Sequence, residues 1–204
     1  MRAAQIVSVL FHPLLLTTYL VMIIGFWVPS MLLVGRDHLL IFIAFIFGIS
    51  FLLPVVNLFL FRQYGIISSW RMEARKERIV PFVFISVIYL LIAFLFVYKV
   101  RVMLDFTRLL VVAAGLVLSG TVSTFFFKVS VHSLGCWGIV GILFWLARLG
   151  HGSLTYPLAA SILLAGVVMS ARLKLNAHTL NEVLLGGVVG LLVSLVCMKL
   201  LFIY

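Results

Sequence analysis

Seven runs of mostly apolar residues, separated by short polar breaks, make up most of this 204-residue chain. A helix needs roughly 20 apolar residues to cross the hydrocarbon core of a bilayer, and each run is close to that length. The fifth and sixth runs are separated only by residues 150–153, so they form either two spans or one hairpin. We therefore predict an all-α fold, a polytopic membrane helical bundle with six to seven transmembrane helices. The runs are Ile6–Trp27, Leu39–Phe61, Ile79–Tyr98, Leu109–Phe127, Val129–Leu149, Leu154–Ala171 and Val183–Tyr204.

The composition supports a membrane protein with almost no soluble part. Hydrophobic residues are 65% of the chain, charged residues are 10%, and the mean hydropathy is +1.34. An ordinary soluble domain is about half apolar and a quarter charged, so this chain has more apolar surface than a soluble core can bury. We expect residues 1–204 to form a single integral membrane domain. The first run is predicted to be a membrane span and not a cleaved signal peptide, because no polar mature domain follows it.

The formal net charge of +10 would suggest nucleic acid as the partner of a soluble chain. Here the basic residues stand between apolar runs, where lipid headgroups, membrane topology or an anionic substrate explain them better. We expect membrane lipids as partners and no nucleic acid. The oligomeric state is left open by the sequence.

Three polar breaks follow the second, fourth and sixth runs. They are Arg62–Arg78, Lys128–Ser133 and Ala171–Glu182. Because successive spans alternate in direction, a seven-span bundle places all three breaks on the same side of the membrane. Their ionisable residues are therefore expected to meet.

The third break carries the most specific pattern, Arg172-x5-His178-x3-Glu182. Residues four apart share one face of a helix, so the carboxylate is expected to contact the imidazole. Such a carboxylate fixes the tautomer of the histidine and stabilises its imidazolium form. The alternative interpretation is a juxtamembrane loop in which Glu182 caps a helix.

The second break contributes Ser130 and His132 at the start of a run. Backbone N–H groups at a helix N-terminus favour an anion, and a second histidine stands beside them. The alternative is a helix start in which the serine is only a cap.

The first break contributes Arg71 and Arg78. The planar guanidinium group is well shaped to hold phosphate oxygens. Arg75 or Lys76 could take the place of Arg71, and the whole segment could instead be a solvated turn that touches lipid headgroups.

Together these side chains suit phosphoryl transfer. One histidine can attack phosphorus, the other can protonate the leaving oxygen, and the arginines neutralise the phosphate charge. The arginines would repel a divalent metal, so we expect no metal and no cofactor. Aspartate-rich motifs, which a membrane prenyltransferase would need, are missing, since Asp37 and Asp105 are the only aspartates.

The three breaks resemble the three-part signature of the type 2 phosphatidic acid phosphatase superfamily, which is K-x6-R-P, P-S-G-H and S-R-x5-H-x3-D. The resemblance covers a phosphatase-like motif region, residues 71–182. It departs from the signature at Arg71, which replaces lysine, at Val129 and Val131, which replace proline and glycine, and at Glu182, which replaces aspartate. In addition, Pro81 lies three residues after Arg78 instead of next to it, and Ala171 stands where the signature has serine. The resemblance implies that His178 is the nucleophile, His132 the general acid and Glu182 the group that orients His178. It also implies a set of phosphate-binding residues, which are Arg71, Arg78, Ser130 and Arg172.

The resemblance further implies a membrane lipid phosphatase that works through a phosphohistidine intermediate. Its substrate would be a phosphomonoester or pyrophosphate of a lipid, of the phosphatidic acid, phosphatidylglycerol phosphate or polyprenyl (pyro)phosphate class, such as undecaprenyl pyrophosphate. The expected location is a bacterial inner (plasma) membrane with the active site on the outer, periplasmic face. A simple count of basic residues would instead place the three breaks on the cytoplasmic side.

The alternative function is a catalytically inactive protein with the same pocket that binds or transports a lipid phosphate. Three further histidines, His12, His38 and His151, match no motif. We expect them to act in topology or at the lipid interface.

Overall fold

The structure is a computed structural model that describes residues 1–70, 72, 74–100, 103–150 and 154–202. In that part of the chain the regular secondary structure is entirely helical, with eight α-helices. A short 3₁₀ turn, Pro29–Met31, follows the second helix, and α3 contains a π-helical turn, Gly48–Leu52. The helices are α1 Arg2–Leu10, α2 Pro13–Trp27, α3 Arg36–Gln63, α4 Arg75–Lys99, α5 Leu104–Phe126, α6 Val131–Arg148, α7 Thr155–Lys174 and α8 Leu180–Phe202.

Helices α3 to α8 are each long and apolar enough to cross a membrane. The predicted all-α, polytopic helical bundle is therefore confirmed, and the protein is an integral membrane protein. The fifth and sixth apolar runs form two separate helices, α6 and α7.

The first apolar run, Ile6–Trp27, is not one continuous helix. It is divided into α1 and α2, which meet at an angle of 61°. Pro13 has no backbone N–H to continue α1, but it suits the first position of a new helix. The His12 side chain caps that helix by accepting a hydrogen bond from the Leu14 N–H at 3.4 Å. Counted together as one broken span, the bent pair makes a seventh crossing.

Small residues bring α6 and α8 into close contact. A Cβ atom at Gly186 would lie 2.5 Å from the Ser130 carbonyl oxygen, and one at Gly190 would collide with the Leu134 carbonyl oxygen. Glycines allow the backbones of membrane helices to approach in this way, which increases van der Waals packing where lipid provides no hydrophobic driving force. The contact places the start of α8 against the start of α6.

Hydrogen bonds between side chains also join the helices inside the bundle. Ser86 on α4 pairs with Thr121 on α5 at 2.7 Å, and Thr17 on α2 pairs with Tyr89 on α4 at 3.1 Å. Hydroxyl pairs of this kind satisfy polar groups that have no access to water.

The helices alternate in direction, so α2, α4, α6 and α8 all begin at one end of the bundle. Three contacts mark that end: the ring of His12 against that of His132, the Ser130 N–H to the Glu182 carbonyl oxygen, and Arg75 to the last turn of α5. We call it the histidine end. The alternation therefore brings the second and third polar breaks together with the starts of four helices.

Candidate functional site

His178 and Glu182 form the best-defined pair of the site. His178 lies in the turn between α7 and α8, and its Nδ1–H donates to Glu182 Oε2 at 2.7 Å. Because a carboxylate only accepts, this bond fixes the proton of the neutral ring on Nδ1. The Nε2 lone pair has no hydrogen-bond partner among the described residues. A nitrogen atom in this state can act as a nucleophile toward phosphorus.

Glu182 also caps α8. Its carboxylate accepts from the Thr179 N–H, and its own N–H donates to Thr179 Oγ1, both at 3.4 Å. This reciprocal pair is a capping box. Glu182 therefore both caps the helix and contacts His178, because the His178 Nδ1–H and the Thr179 N–H donate to the same oxygen, Glu182 Oε2.

The surroundings of His178 keep its ring neutral. The pKa of His178 is lowered from 6.5 to about 4, mainly by burial and also by the positive charges of Arg172 and Arg78. The hydrogen bond that His178 donates to Glu182, together with the negative charge of that carboxylate, raises the pKa and only partly opposes this. At neutral pH the ring is therefore uncharged, with its Nε2 lone pair available.

Ser130 connects the second break to the third. It is fully buried and is the N-cap of α6, since its hydroxyl accepts from the Ser133 N–H at 3.4 Å. Its backbone N–H donates to the Glu182 carbonyl oxygen at 3.1 Å. The structure thus shows the cap that the alternative interpretation expected, and it shows how the first turns of α6 and α8 are locked together.

His132 lies in the first turn of α6 and is 7% exposed. Its Nε2 donates to the Ser8 carbonyl oxygen at 3.1 Å, because a carbonyl can only accept. In the neutral ring Nδ1 is then an acceptor, and it is buried without a partner in the described structure. His132 interacts electrostatically with Arg172, His12 and His178. His132 Nδ1 is therefore a nitrogen atom without a described hydrogen-bond partner inside the polar cluster.

Two arginines complete the described part of the site. Arg172, in the last turn of α7, donates from Nη1 to Ser8 Oγ at 2.6 Å and keeps a buried Nε without a described partner. Arg78, in the first turn of α4, donates from Nε to the Met72 carbonyl oxygen at 2.7 Å. Arg78 interacts electrostatically with Glu182, and unfavourably with the like charge of Arg172. An anion between them would relieve that repulsion.

Arg71, predicted to hold phosphate, lies outside the described residues. Its two proposed substitutes do not join the cluster by any described contact. Arg75 donates from Nη1 to the Phe125 carbonyl oxygen at 2.7 Å, at the C-terminus of α5, and Lys76 is exposed.

Ser8 and His12 lie outside the motif region 71–182, and the sequence pattern did not indicate them. His12 was expected to act in topology or at the lipid interface, but the structure places it against the histidine cluster. Its ring centroid is 5.6 Å from that of His132, with the ring planes at 82°, and it interacts electrostatically with Arg172. The sequence feature that could have indicated a break in the helix here is the His12-Pro13 pair, which interrupts an apolar run. His38 is exposed at the start of α3, at the opposite end, and His151 lies outside the described residues.

The cluster is cationic apart from Glu182. Arg78 and Arg172 carry positive charge, and the starts of α6 and α8 lie at the site with them, so the site favours an anionic ligand. No three His, Cys, Asp or Glu side chains among the described residues are arranged to hold a metal ion.

No protein-family model, curated protein or solved structure matches the chain. The resemblance to the phosphatidic acid phosphatase superfamily therefore stays a prediction that rests on the three polar breaks.

Proposed function

We propose that the protein is a metal-independent lipid phosphatase that hydrolyses a phosphomonoester or pyrophosphate of a lipid through a phosphohistidine intermediate. The observation that carries the proposal is the state of His178. Its Nδ1–H is held by Glu182, its Nε2 is free of described hydrogen bonds, and two arginines interact with it electrostatically. An oriented neutral imidazole beside guanidinium groups is suited to attack a phosphorus atom.

In the first half-reaction, the His178 Nε2 lone pair forms a bond to phosphorus while the bond from phosphorus to the lipid oxygen breaks. His132, protonated on Nδ1 in the substrate complex, gives that proton to the leaving oxygen. Glu182 stabilises the positive charge that develops on the His178 ring. After the transfer His132 is neutral, with Nε2–H on the Ser8 carbonyl oxygen, which is the form described above.

In the second half-reaction, water attacks the phosphohistidine. Its proton goes to Nδ1 of His132, the bond from phosphorus to nitrogen breaks, and inorganic phosphate leaves. Arg78 and Arg172 are proposed to hold the phosphoryl oxygens in both halves. The lipid tail stays in the bilayer beside the helix ends, and the headgroup reaches the cluster.

For the location, we propose a bacterial inner membrane with the histidine end on the periplasmic face. This rests on the superfamily resemblance. Part of the basic excess at this end belongs to arginines assigned to phosphate, so it does not serve as a topology signal.

The proposal is tested by phosphate release from purified protein in detergent with phosphatidic acid, phosphatidylglycerol phosphate and undecaprenyl pyrophosphate. We expect His178→Ala to lower release at least about 1,000-fold, because it removes the nucleophile. With a lipid labelled in the phosphate, acid-quenched wild type should carry label and His178→Ala should carry none. His38→Ala is the matched control and should behave as wild type, since His38 is exposed at the other end. Full release by His178→Ala would exclude this mechanism.

A second candidate is a binder or transporter that does not turn over. The His178 side chain is only 2% exposed, so the site is closed in this conformation, and Ser130 is occupied as a helix cap. A protein of this kind would bind vanadate but would release no phosphate and form no phosphohistidine.

A further inference from the structure

We infer that His12 is a further catalytic residue, whose Nε2–H donates to an oxygen of the bound phosphate beside His132. The inference rests on the proposed function, because it concerns the same site, and it adds a residue from outside the motif region.

The first step of the argument is the hydrogen-bonding state of His12. The Leu14 N–H donates to its Nδ1 at 3.4 Å, so in the neutral ring the proton is on Nε2. Among the described residues no hydrogen bond is made by Nε2. The hydrogen bond from the Leu14 N–H therefore caps α2 and also leaves His12 Nε2–H, on the opposite side of the ring, as a donor.

The second step is position. The His12 ring is 5.6 Å from the His132 ring, nearly perpendicular to it, and it interacts electrostatically with Arg172. Both neighbours carry a buried polar atom without a described partner, His132 Nδ1 and Arg172 Nε. Buried polar groups in proteins are nearly always hydrogen-bonded, so a ligand is the natural partner for this group of atoms.

The third step is the chemistry of that ligand. Arg172 Nε and His12 Nε2–H are donors, and His132 Nδ1 becomes a donor once it is protonated. A dense set of donors with positive charge fits the oxygens of a phosphate group and not a cation. No bond to His12 forms or breaks in the reaction. It stabilises charge on the phosphoryl oxygens.

The bend between α1 and α2 explains why His12 lies in the site. A straight helix through residues 6–27 would continue past the histidine end, whereas the 61° break leaves His12 at the very start of α2. The same break turns α1 so that Ser8 meets His132 and Arg172.

The test uses His12→Asn, because asparagine is also a favoured N-cap and preserves the start of α2 while the imidazole is lost. His12→Ala removes both the cap and the donor. Losing a hydrogen bond to a charged group lowers affinity by about 10- to 100-fold, and we expect a loss of this size in vanadate binding and in kcat/KM for phosphatidic acid. The thermal unfolding midpoint of His12→Asn should stay at the wild-type value, and that of His12→Ala should fall.

The outcomes separate the two proposals. If His12→Asn binds vanadate and turns over as wild type does, His12 is only a helix cap, and the phosphatase proposal stands without it. If wild type binds vanadate without turnover and His12→Asn binds it more weakly, the role of His12 in holding phosphate is supported and the enzymatic function fails. If wild type neither binds vanadate nor releases phosphate, both are rejected.

Discussion

Three histidines of the site have distinct hydrogen-bonding states, each set by one neighbour. Glu182 holds Nδ1–H of His178, the Ser8 carbonyl holds Nε2–H of His132, and the Leu14 N–H occupies Nδ1 of His12. The same side-chain type therefore offers a free lone pair at His178, an empty proton acceptor at His132 and a free donor at His12. The roles of nucleophile and acid come from the family resemblance, and the hydrogen-bonding states are compatible with them; the state of His12 supports its role as a phosphate ligand.

The prediction at this scale concerns Glu182→Gln. If phosphate release requires neutral His178, the acid limb of kcat/KM lies below pH 6.5, because burial lowers the pKa of His178 to about 4. Glu182 raises that pKa, so Glu182→Gln should move the limb to lower pH. At neutral pH kcat should fall about 10- to 100-fold, because the glutamine oxygen can still accept from Nδ1–H but no longer carries the negative charge that stabilises the developing positive charge on His178. A pH series of initial rates measures both effects.

Thr179→Ala is the matched control for Glu182→Gln. It removes the hydroxyl partner in the capping box and should cost about 1 kcal/mol of stability, but it leaves the bond between Glu182 and His178 in place. Its acid limb should therefore match that of wild type. An acid limb that is the same in wild type and Glu182→Gln would show that His178 does not control it.

At the scale of elements, the contact between α6 and α8 positions the site. Gly186 and Gly190 let the two backbones touch, and the Ser130 N–H binds the Glu182 carbonyl where the helices begin. This contact sets the separation between His132, in the first turn of α6, and His178, just before α8. Because the closest atoms are backbone carbonyls, they cannot give way as a flexible side chain would.

We predict that Gly190→Ala disturbs both stability and activity. Its Cβ would collide with the Leu134 carbonyl oxygen, and overpacking of this kind typically costs about 1–3 kcal/mol. Thermal unfolding in detergent should show the lower stability, and phosphate release should fall because α6 and α8 are forced apart. Gly166→Ala on α7 is the control, because its Cβ would meet no atom within 4 Å and should change neither property. Equal unfolding midpoints for the two variants would contradict the close helix contact.

At the scale of the whole molecule, alternation of the helices brings the polar breaks to one end. The starts of α2, α4, α6 and α8 lie there, together with Arg78 and Arg172. The ends of α3, α5 and α7 lie there too, so the partial charges of the helix termini largely offset one another and the two guanidinium groups supply the positive charge. These two arginines would attract the anionic headgroup of a lipid to this end.

The prediction at this scale concerns orientation. Lys174 at the end of α7 is exposed at the histidine end, and Arg148 at the end of α6 is exposed at the opposite end. Single cysteines are placed at these positions after Cys136→Ala and Cys197→Ala remove the native thiols. With an impermeant thiol reagent on intact spheroplasts, we expect Lys174→Cys to be labelled and Arg148→Cys to be labelled only after permeabilisation. The reverse pattern would place the site in the cytoplasm and exclude the proposed location.

Helix type and approximate spans could be predicted from the sequence, because each depends on residues close together in the chain. Runs of about 20 apolar residues specify membrane helices directly. The spacing of His178 and Glu182 predicts their contact, since residues four apart meet on a helix. The convergence of the three breaks followed from the alternation of spans and needed no knowledge of packing.

Only the tertiary structure decided that Ser8 and His12 belong to the site. They are separated by 124 and 120 positions from His132, so no local pattern connects them to it. Their place depends on the angle between α1 and α2 and on how that bent pair packs against α6. Angles and packing arise from the shapes of many side chains that meet across the bundle, whereas hydropathy and spacing record only which residues are near one another along the chain.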